Sequence, residues 1–251
     1  MKNIYFSDKE FKEIKRYNRI NRGMEAVIYS YNDDILKVYL KKDLKYQERK
    51  INYILRKDKI KGCVMPKGKV YLDEKFIGIS MDYYQDYITL GKSLETKQDS
   101  YKKRLILCKK IVEALKKLHN NGICHNDIHL DNIIYNPKLE DAVLIDIDGG
   151  TPKEFLLQKE YQRNINNDKY NLLVVILSYL YQFDFESFHL IGATSLFKNV
   201  LNCFPVGENF KNYISDFQNQ EDISLEYIDT YFSEMKEPTD NKIKWFWFLT
   251  L

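Results

Sequence analysis

The stretch Gly122–Ile134, GICHNDIHLDNII, constrains this chain more than any other. It places His125, Asp127, His129, Asp131 and Asn132 within eight positions. An amphipathic segment leads into it, and the apolar pair Ile133-Ile134 closes it. A dense polar cluster held between two apolar supports is how a fold presents chemistry. The rest of the chain must supply those supports.

The leading segment, Tyr101–His119, carries Leu105, Cys108, Ile111, Val112, Leu115 and Leu118 at three- and four-residue intervals before Asn120-Asn121-Gly122. That spacing predicts an amphipathic helix with a glycine at its C-terminal end. After the polar stretch come a turn at Asn136-Pro137 and AVLIDID, an apolar strand ending in carboxylates. Further on, Asp168 precedes KYNLLVVILSYLY, which is apolar nearly all round and predicts a buried central helix. Its longest apolar run, Leu172–Tyr181, is about half of the ~20 residues a membrane span requires, so no span is expected.

Upstream the pattern changes. Ser7 with Glu10 is a capping-box signature, and Phe11, Ile14 and Tyr17 follow at helical spacing. AVIYSY, the turn-forming Asn32-Asp33-Asp34 and ILKVYL predict a hairpin of two strands. Leu44–Leu55, with Leu44, Ile51, Ile54 and Leu55 on one side, predicts a helix. CVMPKGKVYLDEKFIGISMDYY adds strands, with Pro66 and Gly68 read as a break and Asp73-Glu74 as a turn. Residues 1–84 are thus expected to form a strand-rich lobe and 85–251 a mainly helical one, punctuated late by Pro205-Val206-Gly207 and Pro238. With no repeat or flexible linker between them, the two lobes should pack as one unit with a cleft.

Composition narrows the function classes. At 44% hydrophobic and 30% charged, the chain reads as soluble and globular. With 39 basic and 36 acidic residues, its formal charge of +3 is too balanced to mark a nucleic-acid or membrane binder. Lysine pairs such as Lys41-Lys42 and Lys102-Lys103 read as solvated faces. Cys63, Cys108, Cys124 and Cys203 lie far apart without a CxxC pair, which indicates neither a zinc ribbon nor a disulfide framework. The N-terminus has no continuous apolar core of the secretory type. A cytoplasmic location is expected, in the protein's own cell or, for a delivered effector, in a host.

Set into this architecture, the motifs resemble in order those of the protein kinase-like superfamily. HNDIHLDN resembles the catalytic loop HRDxxxxN, which implies that Asp127 accepts or orients the substrate hydroxyl and that Asn132 is a magnesium ligand. LIDID resembles the strand ending in DFG, which implies Asp146 as a second metal ligand, with Ile147 and Asp148 in place of Phe and Gly. Asp148-Gly149-Gly150 is the alternative reading, and both aspartates can share the metals. ILKVY resembles the strand bearing the phosphate-binding lysine, here Lys37, and Glu48 stands where its partner glutamate belongs. RGMEAVIY matches the glycine-rich loop at Gly23, with Ala26 and Ile28 as small and apolar stand-ins. SMDYY resembles the hinge, with Met81 as gatekeeper and the backbones of Asp82 and Tyr84 toward adenine; Ile134 completes the implied nucleotide site. Asp168 resembles the aspartate that opens the central helix and holds the catalytic loop's backbone.

What the resemblance implies is a bilobal α+β kinase-like fold and transfer of the ATP γ-phosphoryl group with Mg2+, or Mn2+ in its place. The acceptor it implies is Ser or Thr of a protein, in a compact, atypical bacterial or viral kinase. Several departures qualify that expectation. Asn126 replaces the arginine that receives an activation-loop phosphate, His129 replaces a lysine, the segment between Asp146 and Asp168 is short, and no APE is present. HxDxH is also similar to small-molecule kinases for aminoglycosides and choline, which keeps a small-molecule acceptor open. The reduced glycine loop and Ile147-Asp148 keep open a nucleotide-binding pseudokinase acting as a binding module. A zinc site from His125, His129, Asp127 and Asp131 is disfavoured, because four-residue spacing in a loop gives no shared face.

Overall fold

In the computed structural model, which describes residues 3–96, 99–183, 205–217, 225 and 228–237, the chain is α+β, with a strand-rich N-terminal sheet followed by helices. Strands β1 (Ile4–Phe6), β2 (Arg19–Arg22), β3 (Ala26–Tyr31), β4 (Asp34–Tyr39), β5 (Pro66–Leu72) and β6 (Lys75–Asp82) form one sheet in the order β1-β5-β6-β4-β3-β2. β1 runs parallel to β5, and the other neighbours are antiparallel. Asn32 (φ 53°), Asp73 (φ 45°) and Glu74 (φ 67°) adopt left-handed backbones in the two hairpin turns, where short polar residues tolerate them best. The break expected at Pro66 and Gly68 is not there. Both residues lie within β5, where a register shift between them absorbs the proline's missing donor.

Period-two alternation decides which side chains face which layer. Helix α1 (Asp8–Tyr17) begins on Ser7 with the capping box expected from sequence: Ser7 Oγ accepts from the Glu10 N–H, and a Glu10 carboxylate oxygen accepts from the Ser7 N–H at 2.8 Å. Its Phe11 and Ile14 pack with Phe6, Val27, Tyr29, Leu36, Val38 and Val70 in a core of their own. Leu36 and Val38 of β4 therefore point toward α1. Ile35, Lys37 and Tyr39, on the opposite face, point toward the rest of the molecule. On that side helix α2 (Lys45–Ile54) contributes Ile51 and Ile54 to the main core, together with Ile79 and Met81 of β6.

The same core continues into the second part of the chain. Helices α3 (Leu90–Thr96), α4 (Tyr101–Asn120) and α5 (Gln158–Tyr181) pack around β7 (Ile88–Thr89), β9 (Ile133–Asn136) and β10 (Asp141–Leu144), whose order is β10-β9-β7. A two-stranded pair joins β8 (Ile123–Cys124) to β11 (Thr151–Pro152). Helices α6 (Glu208–Phe217) and α7 (Ile228–Glu234) follow, while Pro238 and Cys203 lie outside the described residues. Helix α4 ends as its sequence predicts, with Gly122 at φ 75° just past the cap.

Helix α5 corrects one expectation. It starts at Gln158, so Asp168 lies inside it rather than at its opening. Tyr161 and Ile165 pack beside Cys124 and share a helical face with Asp168 and Leu172. The polar residues between them are the outer face of the helix, which made the segment look like a loop. Among the described residues, no helix is long and apolar enough to cross a membrane.

Because Phe11 is 2% exposed and central to the outer core of the sheet, Phe11→Ala should destabilise the protein by about 3–5 kcal/mol. The expected result is a lower urea midpoint with an unchanged slope; a midpoint within error of wild type would show that α1 is not part of the cooperative unit.

Candidate functional site

Lys37 sits on the central strand β4, paired across to Ile28 on β3 and Ile79 on β6. Its ammonium meets an Asp146 carboxylate oxygen directly and lies 3.0 Å from Asp148. Asp148 also accepts from the Tyr39 hydroxyl at 2.8 Å. Burial pulls the Lys37 pKa down, but Asp148 and Asp146 more than offset it and hold it above the ordinary lysine value. The Tyr39 phenol is pushed upward by burial first and by Asp148 second, so it remains a donor.

The two carboxylates are unequal. The Asp148 side chain is 2% exposed, whereas Asp146 is 41% exposed and adopts φ 66°, ψ 26°, a left-handed backbone that aspartate tolerates better than most residues. Asp148 is thus the buried anchor and Asp146 the open face of the pair. The glycines that follow differ as well. A Cβ on Gly150 would lie 2.5 Å from the Cys124 carbonyl oxygen, so close approach of β8 requires glycine there; at Gly149 a Cβ would meet nothing within 4 Å.

Glu48 does not pair with Lys37, contrary to expectation. It lies on α2 with its carboxylate 2.8 Å from Lys69 Nζ and 3.1 Å from the Tyr71 hydroxyl of β5. Lys37 is already paired with two aspartates, while Lys69 offers Glu48 an ammonium on its own side of the helix. The α2 face turned to the site carries Gln47 and Lys50 instead. Gln47 Nε2 donates to the Asp148 carbonyl at 2.8 Å and to the Tyr39 hydroxyl at 3.3 Å. Lys50 Nζ donates to the carbonyls of Gly149 (3.1 Å) and Gly150 (3.0 Å). Sequence reasoning missed Tyr39, Gln47 and Lys50. A signal was present, since Tyr46, Lys50 and Tyr53 follow at helical spacing on a face with no other polar task.

The loop between β8 and β9 is held from below by Asp168, which is fully buried. Its carboxylate accepts the backbone N–H groups of His125 at 2.6 Å and Asn126 at 2.7 Å, and lies 3.0 Å from His119 Nε2. His125 Nε2 faces the Ile145 carbonyl at 2.8 Å, so that nitrogen carries the proton, and Nδ1 accepts the Asp127 N–H at 3.3 Å. Both ring nitrogens are therefore engaged in the neutral form, and burial lowers the pKa of His125.

Asp127 and Asn132 are brought together. Asn132 Nδ2 donates to the Asp127 backbone and carboxylate oxygens, each at 2.9 Å, which leaves Oδ1 as its remaining acceptor. His129 Nδ1 accepts the Asp131 N–H at 3.2 Å and so caps the short 3-10 turn Leu130–Asn132, with Nε2 3.6 Å from the Asp127 carboxylate. His129 first and Asn132 after it hold the Asp127 carboxyl below the usual carboxylate range. The Asp127 side chain is 68% exposed, so its charge is presented to an incoming group. Among the described residues no group of three or more His, Cys, Asp and Glu is arranged to hold a metal. The hard donors present are the carboxylates of Asp146 and Asp148 and the amide oxygen of Asn132.

The remaining candidates line the sheet side. The Gly23 N–H donates to the Ala26 carbonyl at 2.9 Å and closes the β2–β3 hairpin, whose tip, Met24, is 97% exposed. Ala26 is buried, and Ile28 stands opposite Lys37. Met81 belongs to the main core, and Ile35, Tyr84 and Ile134 pack half-buried against it. The Asp82 carboxylate is committed to Lys59 (2.9 Å) and Lys67 (3.0 Å), and the Tyr84 carbonyl accepts the Tyr87 N–H at 3.2 Å. Cys63, Cys108 and Cys124 are buried and unpaired, and burial pushes the Cys63 and Cys124 thiols up to about 12, which makes them poor nucleophiles.

The neutral state of His125 links stability to pH. Its pKa is lowered from 6.5 on folding, so the unfolded chain binds the extra proton first as pH falls. The stabilisation is complete above about 6.5 and declines below it. Denaturation midpoints measured across that window should fall in the wild type and fall less steeply in His125→Asn. No protein-family model and no curated protein matches the chain.

Proposed function

We propose that this protein transfers the γ-phosphoryl group of ATP to a hydroxyl, with Ser or Thr of a protein as the acceptor class, on a bilobal kinase-like fold. The observation that carries the reading is a pair of constellations, Lys37 with Asp146 and Asp148, and Asp127 with Asn132, joined where the Ile145 N–H donates to the Asn132 carbonyl at 3.0 Å. The resemblance of the motifs, in order along the chain, supports it.

The open, ionised Asp127 carboxylate accepts the hydrogen bond of the acceptor hydroxyl and orients it; its lowered pKa makes it a weak base, so it takes the proton only as the new O–P bond forms. Lys37, held charged at the centre of the sheet, aligns the phosphates. Magnesium fits the donors present, since Asp146 and Asp148 already converge on one cation, the Lys37 ammonium, and hard cations prefer oxygen ligands. Asn132, Asp146 and Asp148 would hold it. When bound, the metal supplies neutralisation of the phosphate charge. Ile35, Met81, Tyr84 and Ile134 offer apolar surface to the base. Catalysis on this reading is positioning plus charge stabilisation, with few covalent tasks for the chain.

A small-molecule acceptor is the second reading. The segment from Asp148 to Phe155 is short and tied down by β11, which pairs with β8, and by a Thr151 hydroxyl that accepts from Asn126 Nδ2 at 2.8 Å. That leaves little chain to position a peptide.

Asp127→Ala should lower turnover by about 10²- to 10⁴-fold while leaving nucleotide affinity nearly intact. Radiolabelled ATP supplied with generic protein acceptors and with hydroxylated metabolites reads both points. Label on Ser or Thr supports the proposal, label confined to metabolites moves it to the second reading, and full activity in Asp127→Ala overturns the assignment of the loop.

A further inference from the structure

Helix α2 and the segment after the carboxylates are joined more extensively than the chemistry proposed above requires. Gln47 binds the Asp148 carbonyl, and Lys50 binds the next two, those of Gly149 and Gly150. Farther along, the Tyr53 hydroxyl donates to Glu154, and Phe155 inserts edge-on between Tyr46 and Tyr53, with centroids at 5.9 and 6.2 Å and the Arg49 guanidinium 5.8 Å away. Tyr46, Lys50 and Tyr53 share one face of α2, with Gln47 and Arg49 on either side of it. Glu48 lies on another, bound to Lys69 and Tyr71.

Lys50 is the most informative of these contacts. It is 6% exposed, and burial lowers its pKa, so its placement is costly unless the ammonium is fully used. Its two hydrogen-bond partners are neutral carbonyls of the glycine turn rather than a carboxylate, and the Tyr46 ring centroid lies 5.7 Å from the ammonium. An ammonium that binds two consecutive carbonyls fixes the direction of the peptides between them. Those peptides follow directly on Asp148, whose carboxylate must stay aimed at Lys37 and Tyr39.

We propose that Lys50 is a positioning residue for the phosphotransfer site: it clamps the Gly149–Gly150 turn to α2 and so holds Asp148 in register with Lys37, with Gln47 as its auxiliary. This rests on the phosphotransferase reading for its consequence, but the clamp itself does not. Coupling of α2 to the site runs through backbone carbonyls, and a Lys37–Glu48 ion pair has no part in it.

The test uses the full chain with Lys50→Met, Lys50→Arg and Gln47→Ala, and two readouts. Hydrogen exchange of the amides of residues 148–151 and 153–155 reports the clamp without any turnover. Steady-state kinetics, with ATP and Mg2+ varied separately, report its consequence. Lys50→Met should speed exchange in that segment selectively and lower kcat by about 10- to 100-fold, the range typical for partners one shell behind a metal ligand, with the KM for ATP changed less. Lys50→Arg should recover most of both effects. Gln47→Ala should show a weaker version, and it decides the matter if Lys50→Met fails to fold. Exchange at the wild-type rate in the segment overturns the clamp; faster exchange with unchanged kcat overturns the positioning role. If the wild-type chain transfers no phosphate, the functional reading falls, and the exchange data alone uphold or overturn the clamp.

Discussion

A fully buried carboxylate, Asp168, is the interaction on which the rest of the site depends. It receives two consecutive backbone N–H groups, those of His125 and Asn126, and it meets the ring of His119 at the end of α4. The His125 N–H is buried and would lose its partner without Asp168, so the path of the loop depends on that carboxylate beneath it. The helix that carries Asp168 is buried nearly all round from Leu172 to Tyr181 and cannot shift without opening the main core. The position of the loop is therefore inherited from the packing of α5. Asp127 and Asn132 acquire their geometry at second hand, through a backbone already fixed.

The ion cluster around Lys37 is a different kind of object. Removing an ammonium and a carboxylate from water costs several kcal/mol per ion, and their attraction returns that only when geometry and extra hydrogen bonds are good. Asp148 has those extra bonds from Tyr39 and Lys37, while Asp146 stays partly in solvent. Such an arrangement contributes little to stability for its expense. It does define where a cation can rest, and that fits the hard-oxygen chemistry of the proposed function.

Much of the fold was legible in sequence because its signals are local. The capping box at Ser7, the hairpin around Asn32 and the α4 periodicity each depend on neighbours a few residues away. The short strand β1 was not legible, since three residues carry no period and its stability comes from pairing with β5, far along the chain. The early start of α5 was hidden because only Tyr161 and Ile165 mark its buried side over three turns. In the site, the polar loop lies between β8 and β9 and Asp146 follows the end of β10, as the local patterns of apolar and polar residues predict. The partner of Lys37 was not legible, because which side of α2 faces the site is set by how Ile51 and Ile54 pack, and Glu48 and Gln47, being adjacent, project about 100° apart on a helix.

The two glycines after Asp148 look interchangeable in the sequence, yet they answer to different constraints. Gly150 is locked by a neighbouring strand, and any side chain there would push β8 away and with it the path into the loop that Asp168 holds. Gly149 borders open space. A side chain at position 150 would require the β8–β11 pair to be rebuilt, whereas position 149 has room for one beside the carboxylates. One glycine is thus a steric requirement of the fold, and the other leaves room for a side chain.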